Sequence, residues 1–243
     1  MADADRVHAA RVLVVGVGGL GCPAALALAR AGVGTIGLID GDVVDPSNLP
    51  RQIVYRDADI GQPKAAVAAA RLGARAPGTR FEVFAEPLTG TNAATILGMF
   101  QVIIDGTDQV SAKYLVNDAA VDAGLPFVHA GVVGFEGQLL TVLPHQTACV
   151  RCLFPVPPRE GEVPTCQETG VLGPLAGTMG TLQAGEAVRY LLGWPVGNRL
   201  LTYDATRLRW RTIRLERRRD CPACSDLRPS AAIPGAGSER CPA

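Results

Sequence analysis

Val12-Leu13-Val14-Val15-Gly16-Val17-Gly18-Gly19-Leu20-Gly21 is the stretch whose reading decides the fold. Four apolar residues, three of them β-branched, have the pattern of a strand buried on both faces. Gly16, Gly18 and Gly21 fit G-x-G-x-x-G, and the apolar run from Pro23 to Arg30 predicts a helix. Pro23 suits a first helical position, where no N–H is needed. Strand, glycine turn and helix start together aim backbone N–H groups and a helix N-terminus at an anion. In that context the motif points to a nucleotide phosphate; alone, it is only a tight turn between strand and helix.

Working outward, Thr35 to Asp40 reads as a second buried strand. Asp40 falls where a dinucleotide fold places an acid on ribose hydroxyls. The following segment, Gly41 to Gln52, carries two prolines and reads as a loop at a strand's carboxyl end, from which Arg51 can reach phosphates. Pro63 opens a helix predicted over 63–74, placing Lys64 in its first turn, where ammonium and helix dipole act together on an anion. Arg80 to Ala85 is a third strand, and Asn92 is expected to cap a short helix to Met99. Gln101 to Asp105 is a fourth strand running into Gly106-Thr107-Asp108-Gln109. Asp105 is assigned to the turn there, and Asp108 to a Mg²⁺ ion shared with phosphate oxygens. Lys113, one turn into a helix over 110–123, is expected to face the same crevice.

The composition narrows the class. The 243 residues are 48% hydrophobic and 19% charged, ordinary for a globular protein. Twenty-three basic residues balance twenty-three acidic ones, so no global field favours nucleic acid or membrane. The first eleven residues are polar and lack a signal core, and no run reaches membrane-spanning length, so a cytoplasmic protein is expected. Only Lys64 and Lys113 are lysines, in a chain that otherwise uses arginine. Such a chain keeps lysine where a compact ammonium is needed, or merely on its surface.

In the second half the pattern changes from βαβ to antiparallel. Strands are predicted over 127–133 and 138–143, with a hairpin turn at 134–137. His129, in the first of these, reads as a core or crevice histidine rather than a ligand. A proline-rich crossing segment is expected over 153–173, then a helix over 182–192 and a closing antiparallel pair over 199–203 and 207–215. Arg207, Arg209 and Arg211 alternate with Leu208 and Trp210, so one face of the last strand is expected to be solvated, the other reading being a docking surface for an acidic partner. Cys149-Val150-Arg151-Cys152 is answered by Cys221-Pro222-Ala223-Cys224. Two such knuckles suit a tetrahedral Zn²⁺ held by Cys149, Cys152, Cys221 and Cys224. The other reading is a redox thiol pair, which prefers a knuckle that opens a helix, and neither is expected to. Residues 1–225 form the expected domain; 226–243, rich in Pro, Gly, Ser and Ala, read as a disordered tail.

The crevice residues thus describe a Mg²⁺–nucleoside triphosphate site. The glycine N–H groups and Asp40 hold the nucleoside, Arg51, Lys64 and Lys113 supply positive charge, and Asp108 takes the metal. Phosphoryl or nucleotidyl transfer needs that charge. A nicotinamide dehydrogenase does not, and no convincing hydride-transfer residues stand out.

GVGGLG at 16–21, AGVGTIGLIDGDVVDPSNLPRQ at 31–52, DIGQPKA at 59–65, DGTD at 105–108, CVRC at 149–152, TCQETGVLGP at 165–174 and CPAC at 221–224 together resemble the ThiF, MoeB and HesA family. These are bacterial relatives of ubiquitin-activating enzymes, and the resemblance covers roughly residues 11–225. It implies a Rossmann-like α/β fold, with a parallel-centred sheet continued by antiparallel strands, and a homodimer. It implies adenylation, by ATP and Mg²⁺, of the C-terminal Gly-Gly carboxylate of a ubiquitin-like sulfur carrier protein. By position, Gly19 meets the nucleotide, Asp40 the ribose, Asn48, Arg51 and Lys64 the phosphates, and Asp108 the magnesium; the four knuckle cysteines match the zinc ligands. Cys166 matches a loop cysteine that some members use in thioester or sulfur chemistry. Two departures stand out. Gln109 replaces the usual Asn after the magnesium acid, and no arginine-bearing N-terminal arm is visible, Arg6 being a poor substitute for one that reaches a partner's site. No rhodanese-like domain follows, so a separate sulfur donor is expected. An inactive nucleotide-binding scaffold or partner subunit is the alternative, and an NAD-dependent oxidoreductase a remote one.

Overall fold

The computed structural model describes residues 3–159, 162 and 170–225. Its centre is the strand of the glycine motif, β1 (Arg11–Val15), and the sheet grows outward from it on both sides. β2 (Thr35–Ile39) and β3 (Arg80–Phe84) add on one side, β4 (Val102–Asp105) and β5 (Phe127–Val133) on the other, all parallel. Then β6 (Glu136–Val142), β7 (Arg199–Asp204) and β8 (Arg209–Arg214) continue antiparallel, giving eight strands in the order β3-β2-β1-β4-β5-β6-β7-β8.

Alternation explains why β1 is apolar throughout. Val12 and Val14 enter one core with Leu28, Val67, Leu72 and Met179, while Leu13 and Val15 enter the other with Leu97, Val116 and Phe127. The first core lies beneath α2 (Gly21–Arg30), α3 (Lys64–Gly73) and a long helix over Gly173–Leu191. The second lies beneath α4 (Ala93–Leu97), α5 (Val110–Asp122) and a four-residue α6 (Val150–Leu153). Each fully buried Leu or Ile side chain contributes roughly 1.5–3 kcal/mol. Gly37 in β2 leaves room for the Phe100 ring, which would lie 2.3 Å from a Cβ there.

Several local expectations are corrected. α2 begins at Gly21, so Pro23 is its third residue, still within the turn whose N–H groups lack intrahelical partners. A short helix α1 (Asp3–His8) precedes β1 and buries Val7. Asn92 stands before α4 but makes no side-chain cap; its Oδ1 accepts from the Thr89 N–H at 2.8 Å instead. The long helix, α7, starts at Gly173, nine residues before the expected 182. Its Gly-Pro-rich opening is low in helix propensity, yet it packs where small residues are needed. A Cβ on Gly180 would lie 2.2 Å from the Leu20 carbonyl oxygen of the turn into α2. β8 is exposed along its whole length, on both faces rather than one, and Trp210 stacks on Tyr203 with centroids 4.2 Å apart. Among the described residues no helix is long and apolar enough to cross a membrane.

The α2–α7 contact yields a paired prediction. Gly180→Ala is expected to cost about 1–3 kcal/mol by overpacking against backbone. Gly185→Ala, on the same helix with nothing within 4 Å of the added methyl, is expected to gain up to about 1 kcal/mol from helix propensity. Urea midpoints at unchanged m-value distinguish the two; equal midpoints would mean the helices separate easily.

Candidate functional site

β1 and β4 are neighbours whose chains continue to opposite sides of the sheet, and open α/β sheets bind ligands at the carboxyl ends of such strands. Gly16 leaves β1 with φ +81°, in the left-handed region that favours glycine. Its N–H donates to Ile39 O at 2.8 Å, and the Gly106 N–H donates to Val15 O at 2.8 Å. A Cβ on Gly21 would lie 1.9 Å from Gly16 O, and one on Gly106 2.7 Å from the same atom. Packing of the chain on itself therefore demands glycine at 16, 21 and 106. Gly18 and Gly19 differ. A Cβ on Gly18 would meet Gln52 Nε2 at 3.5 Å, and one on Gly19 would first meet Ala176 Cβ and the Arg51 stem, at 3.5–3.6 Å. These are ordinary van der Waals contacts, so packing of the chain on itself does not demand glycine at 18 and 19.

Asp40 follows β2 and grips the turn. Its Oδ2 accepts from the Val17 N–H at 2.7 Å and its Oδ1 from the Asp42 N–H at 2.8 Å. Burial pushes this carboxyl above its usual range, against those two bonds. Each oxygen retains a lone pair for a further donor. Lys64 opens α3 with its ammonium on Asp42 Oδ2 at 2.8 Å. Asn48 and Arg51 are half-buried on the 46–51 turn, which Asp45 opens by accepting from the Ser47 N–H; Arg51 Nη1 donates to Ser47 O at 3.1 Å. Beside them is a residue that sequence reasoning passed over. Gln52 is buried, and its Oε1 has no hydrogen-bond partner among the described residues. Such an orphan costs about 1–3 kcal/mol until a donor arrives. Cys22 is also buried, its thiol donating to Val17 O and pushed up to about 12 by burial, which leaves it unreactive.

At the end of β4 two carboxylates divide as expected in part. Asp105 has the turn: it is fully buried, and its Oδ1 accepts from Thr107 Oγ1 at 2.6 Å and from the Thr107 N–H at 3.1 Å. It is also a hub, since Oδ2 meets His129 Nδ1 at 2.7 Å and Lys113 Nζ at 3.3 Å. Burial would raise this carboxyl, but Lys113, His129 and Thr107 outweigh burial and hold it below the usual carboxylate range. Lys113, expected at the nucleotide, directs its ammonium inward to Asp105 and to Ala130 O at 2.6 Å. Gln183 of α7 ties the layers by donating to Asp105 O and Val128 O. Asp108 is exposed and has no hydrogen bond or ion pair among the described residues.

The four knuckle cysteines converge elsewhere, within the second core. Their Sγ atoms all lie within 4.8 Å of one another, with separations of 3.6 Å for Cys149–Cys221, 3.5 Å for Cys152–Cys224 and 4.0 Å for Cys149–Cys152. A tetrahedral Zn²⁺ with bonds of 2.3 Å sets its sulfurs about 3.8 Å apart. The donor set and spacing fit that ion. The expectation that neither knuckle opens a helix is corrected: Cys149 stands at the N-cap of α6. α5 fixes this turn, because Asn117 Oδ1 accepts from the Val150 N–H at 2.9 Å and Asp118 takes Arg151 in a fork at 2.7 Å on both arms. Four converging thiols, not two, argue for a metal clamp over a redox pair. Cys166 and Cys241 lie outside the described residues.

A family model described as the ThiF family matches residues 1–223. The sulfur carrier protein adenylyltransferase of Thermus thermophilus is 44% identical over 230 residues, covering 91% of this chain and 84% of that protein. The SAMP-activating enzyme E1 of Haloferax volcanii is 42% identical over 223 residues, covering 91% and 82% respectively. The adenylyltransferase and sulfurtransferase MOCS3 of Bos taurus is 45% identical over 224 residues, but this chain spans only 49% of its length. Among solved structures, E. coli MccB with ATP superposes with a TM-score of 0.80 at 21% identity, covering 91% of this chain and 69% of that one, a likeness of fold.

The Asp105 hub predicts a pH dependence. Burial holds His129 below its ordinary value, against the pull of Asp105. The unfolded chain takes up a proton near pH 6.5 that the folded one resists, so stability falls as pH drops through about 6.5. Asp105, held low, adds a further loss below about pH 4. Urea midpoints between pH 7.5 and 5 should therefore decline, and less so in His129→Gln. Stability that rises toward pH 5 would mean the Asp105 pair holds a charged imidazole.

Proposed function

The chain belongs to the ThiF family, and from that premise we propose that it adenylates the C-terminal Gly-Gly carboxylate of a ubiquitin-like sulfur carrier protein. The observation that supports this reading is the placement of the candidate groups after the carboxyl ends of adjacent parallel strands. Gly18 and Gly19 follow β1, the buried Lys64 opens the helix after β2 and the exposed Asp108 follows β4, in a chain 44% identical to a sulfur carrier protein adenylyltransferase.

The chemistry follows from what each group offers. The turn at Gly18 and Gly19 receives the nucleotide backbone to backbone, with the spare lone pairs of Asp40 for the ribose hydroxyls. Asn48, Arg51 and Lys64 lie along the phosphates, where donors and positive charge stabilise the charge that builds on departing pyrophosphate. A carrier carboxylate oxygen attacks the α-phosphorus, the bond to the bridging oxygen breaks, and an acyl adenylate and pyrophosphate result. Mg²⁺, when bound at Asp108, supplies charge neutralisation to the phosphates. Lys113 serves this reading from behind, holding Asp105 and with it the 105–108 turn. Attack on phosphorus needs no thiol, so Cys166 has no part in the adenylation step. A homodimer and a separate sulfur donor accompany the reading as expectations of the resemblance, and residues 1–225 act as its one domain.

Carrier-dependent exchange of labelled pyrophosphate into ATP tests the proposal. Asp108→Ala is expected to fold normally and lose at least about 10²-fold in exchange, with Lys64→Ala and Arg51→Ala similar and weaker in ATP binding. Wild-type exchange in Asp108→Ala would move the magnesium role to another residue.

The metal is tested separately. One Zn²⁺ per chain is expected at Cys149, Cys152, Cys221 and Cys224, and Cys224→Ala should lose it together with much stability, since ligation and folding are coupled. Elemental analysis of reduced, pure protein without zinc would remove the assignment.

A further inference from the structure

Lys64 is an unfavourable place for a charge. Its side chain is 7% exposed, and it is the first residue of α3, where the helix dipole opposes a cation. Its one ion partner among the described residues is Asp42, whose side chain is 75% exposed. The asymmetry matters because the two backbones cannot part. The Lys64 N–H donates to Asp42 O at 2.9 Å, the Val44 N–H to Gln62 O at 2.9 Å and the Gly61 N–H to Val44 O at 2.9 Å, a short ladder completed by the Val43–Pro63 bridge. The ammonium is walled in, whereas the Asp42 carboxylate swings on two single bonds into open solvent. It also makes no second side-chain hydrogen bond among the described residues, as a structural clamp would.

We propose that Asp42 is a positioning residue that acts as a displaceable counter-ion. In the empty site its carboxylate neutralises and aims the Lys64 ammonium; an incoming nucleotide phosphate takes its place and sends it into solvent. When pyrophosphate is ready to leave, the carboxylate returns and competes for the same ammonium. The device rests on the adenylation reading for the identity of the nucleotide, but its physics requires only a phosphate at Lys64. An exposed carboxylate yields at small cost, because a pair with one partner in water is weak.

The test uses the full chain with Asp42→Asn, Asp42→Glu, Lys64→Met and the double variant Asp42→Asn/Lys64→Met. Binding of pyrophosphate and ATP is measured by calorimetry, and the carrier reaction by KM and kcat. Asp42→Asn should bind both phosphate ligands about fivefold more tightly. It should lower the KM for ATP by a similar factor and lower kcat, as pyrophosphate leaves more slowly. Asp42→Glu, which keeps the charge, should stay within about twofold of wild type. In the Lys64→Met background the effect of Asp42→Asn on ATP binding should vanish. Weaker binding by Asp42→Asn would overturn the proposal, because the carboxylate would then hold the lysine for phosphate rather than yield to it. An effect that persists without Lys64 would overturn it too. Wild-type protein that binds pyrophosphate but never exchanges it with a Gly-Gly carrier would defeat the adenylation reading and leave the Asp42 result standing.

Discussion

Around the crevice, the structure depends on how closely three stretches of backbone can approach one another. The carbonyl oxygen of Gly16 turns back against Gly21 and Gly106, and neither neighbour has room for a methyl group. That contact sets the gap between the start of α2 and the end of β4, and much of the crevice wall is attached to it. Asp40 holds the N–H of the next residue, Val17, while Cys22 and Tyr55 both donate to the Val17 carbonyl. Gln52 then closes over Gly18. A polar shell of this kind, built on backbone groups, stays in place whether or not a ligand is present.

The two lysines show how environment separates identical groups. Lys113 has a fully buried carboxylate and a carbonyl as acceptors, so its charge is consumed within the fold and serves to hold a turn. Lys64 pairs, among the described residues, with one carboxylate, that of Asp42, which faces water. The arginine-rich composition marks both positions as unusual, but composition carries no information about which acceptors tertiary structure brings to each ammonium.

The same distinction explains what was legible in the sequence. The parallel half of the sheet was, because burial on two faces leaves a continuous apolar run and the glycines punctuate it. The convergence of the two cysteine knuckles was, because two such pairs at that spacing suit one tetrahedral thiolate site. The start of α7 was not: Gly173 to Thr181 looks like a loop by propensity, and becomes helical because its small residues let it lie against the turn into α2. The residues of β8 alternate as in a one-faced strand, yet alternation reports a buried face only where a second layer covers the strand. Asn92, Gln52 and the inward turn of Lys113 all depend on partners distant in sequence or on a local alternative to capping, which no periodicity records.

The cysteine cluster also constrains the order in which the molecule can assemble. Cys149 and Cys221 are 72 residues apart, and between them lie α7, β7 and β8. Closing a loop of that length costs about 4 kcal/mol in chain entropy, and the cost must be met before the contact gives anything back. The parallel half, with its nearer crossovers, can form while the later strands are still unpaired. Only the closing of the four-thiol cluster has to wait for residues 221–224. A chain emerging from the ribosome would thus carry the 149–152 knuckle without its partner thiols until nearly all of the sheet has been made, an interval in which non-local pairing is slow and the chain most open to wrong partners.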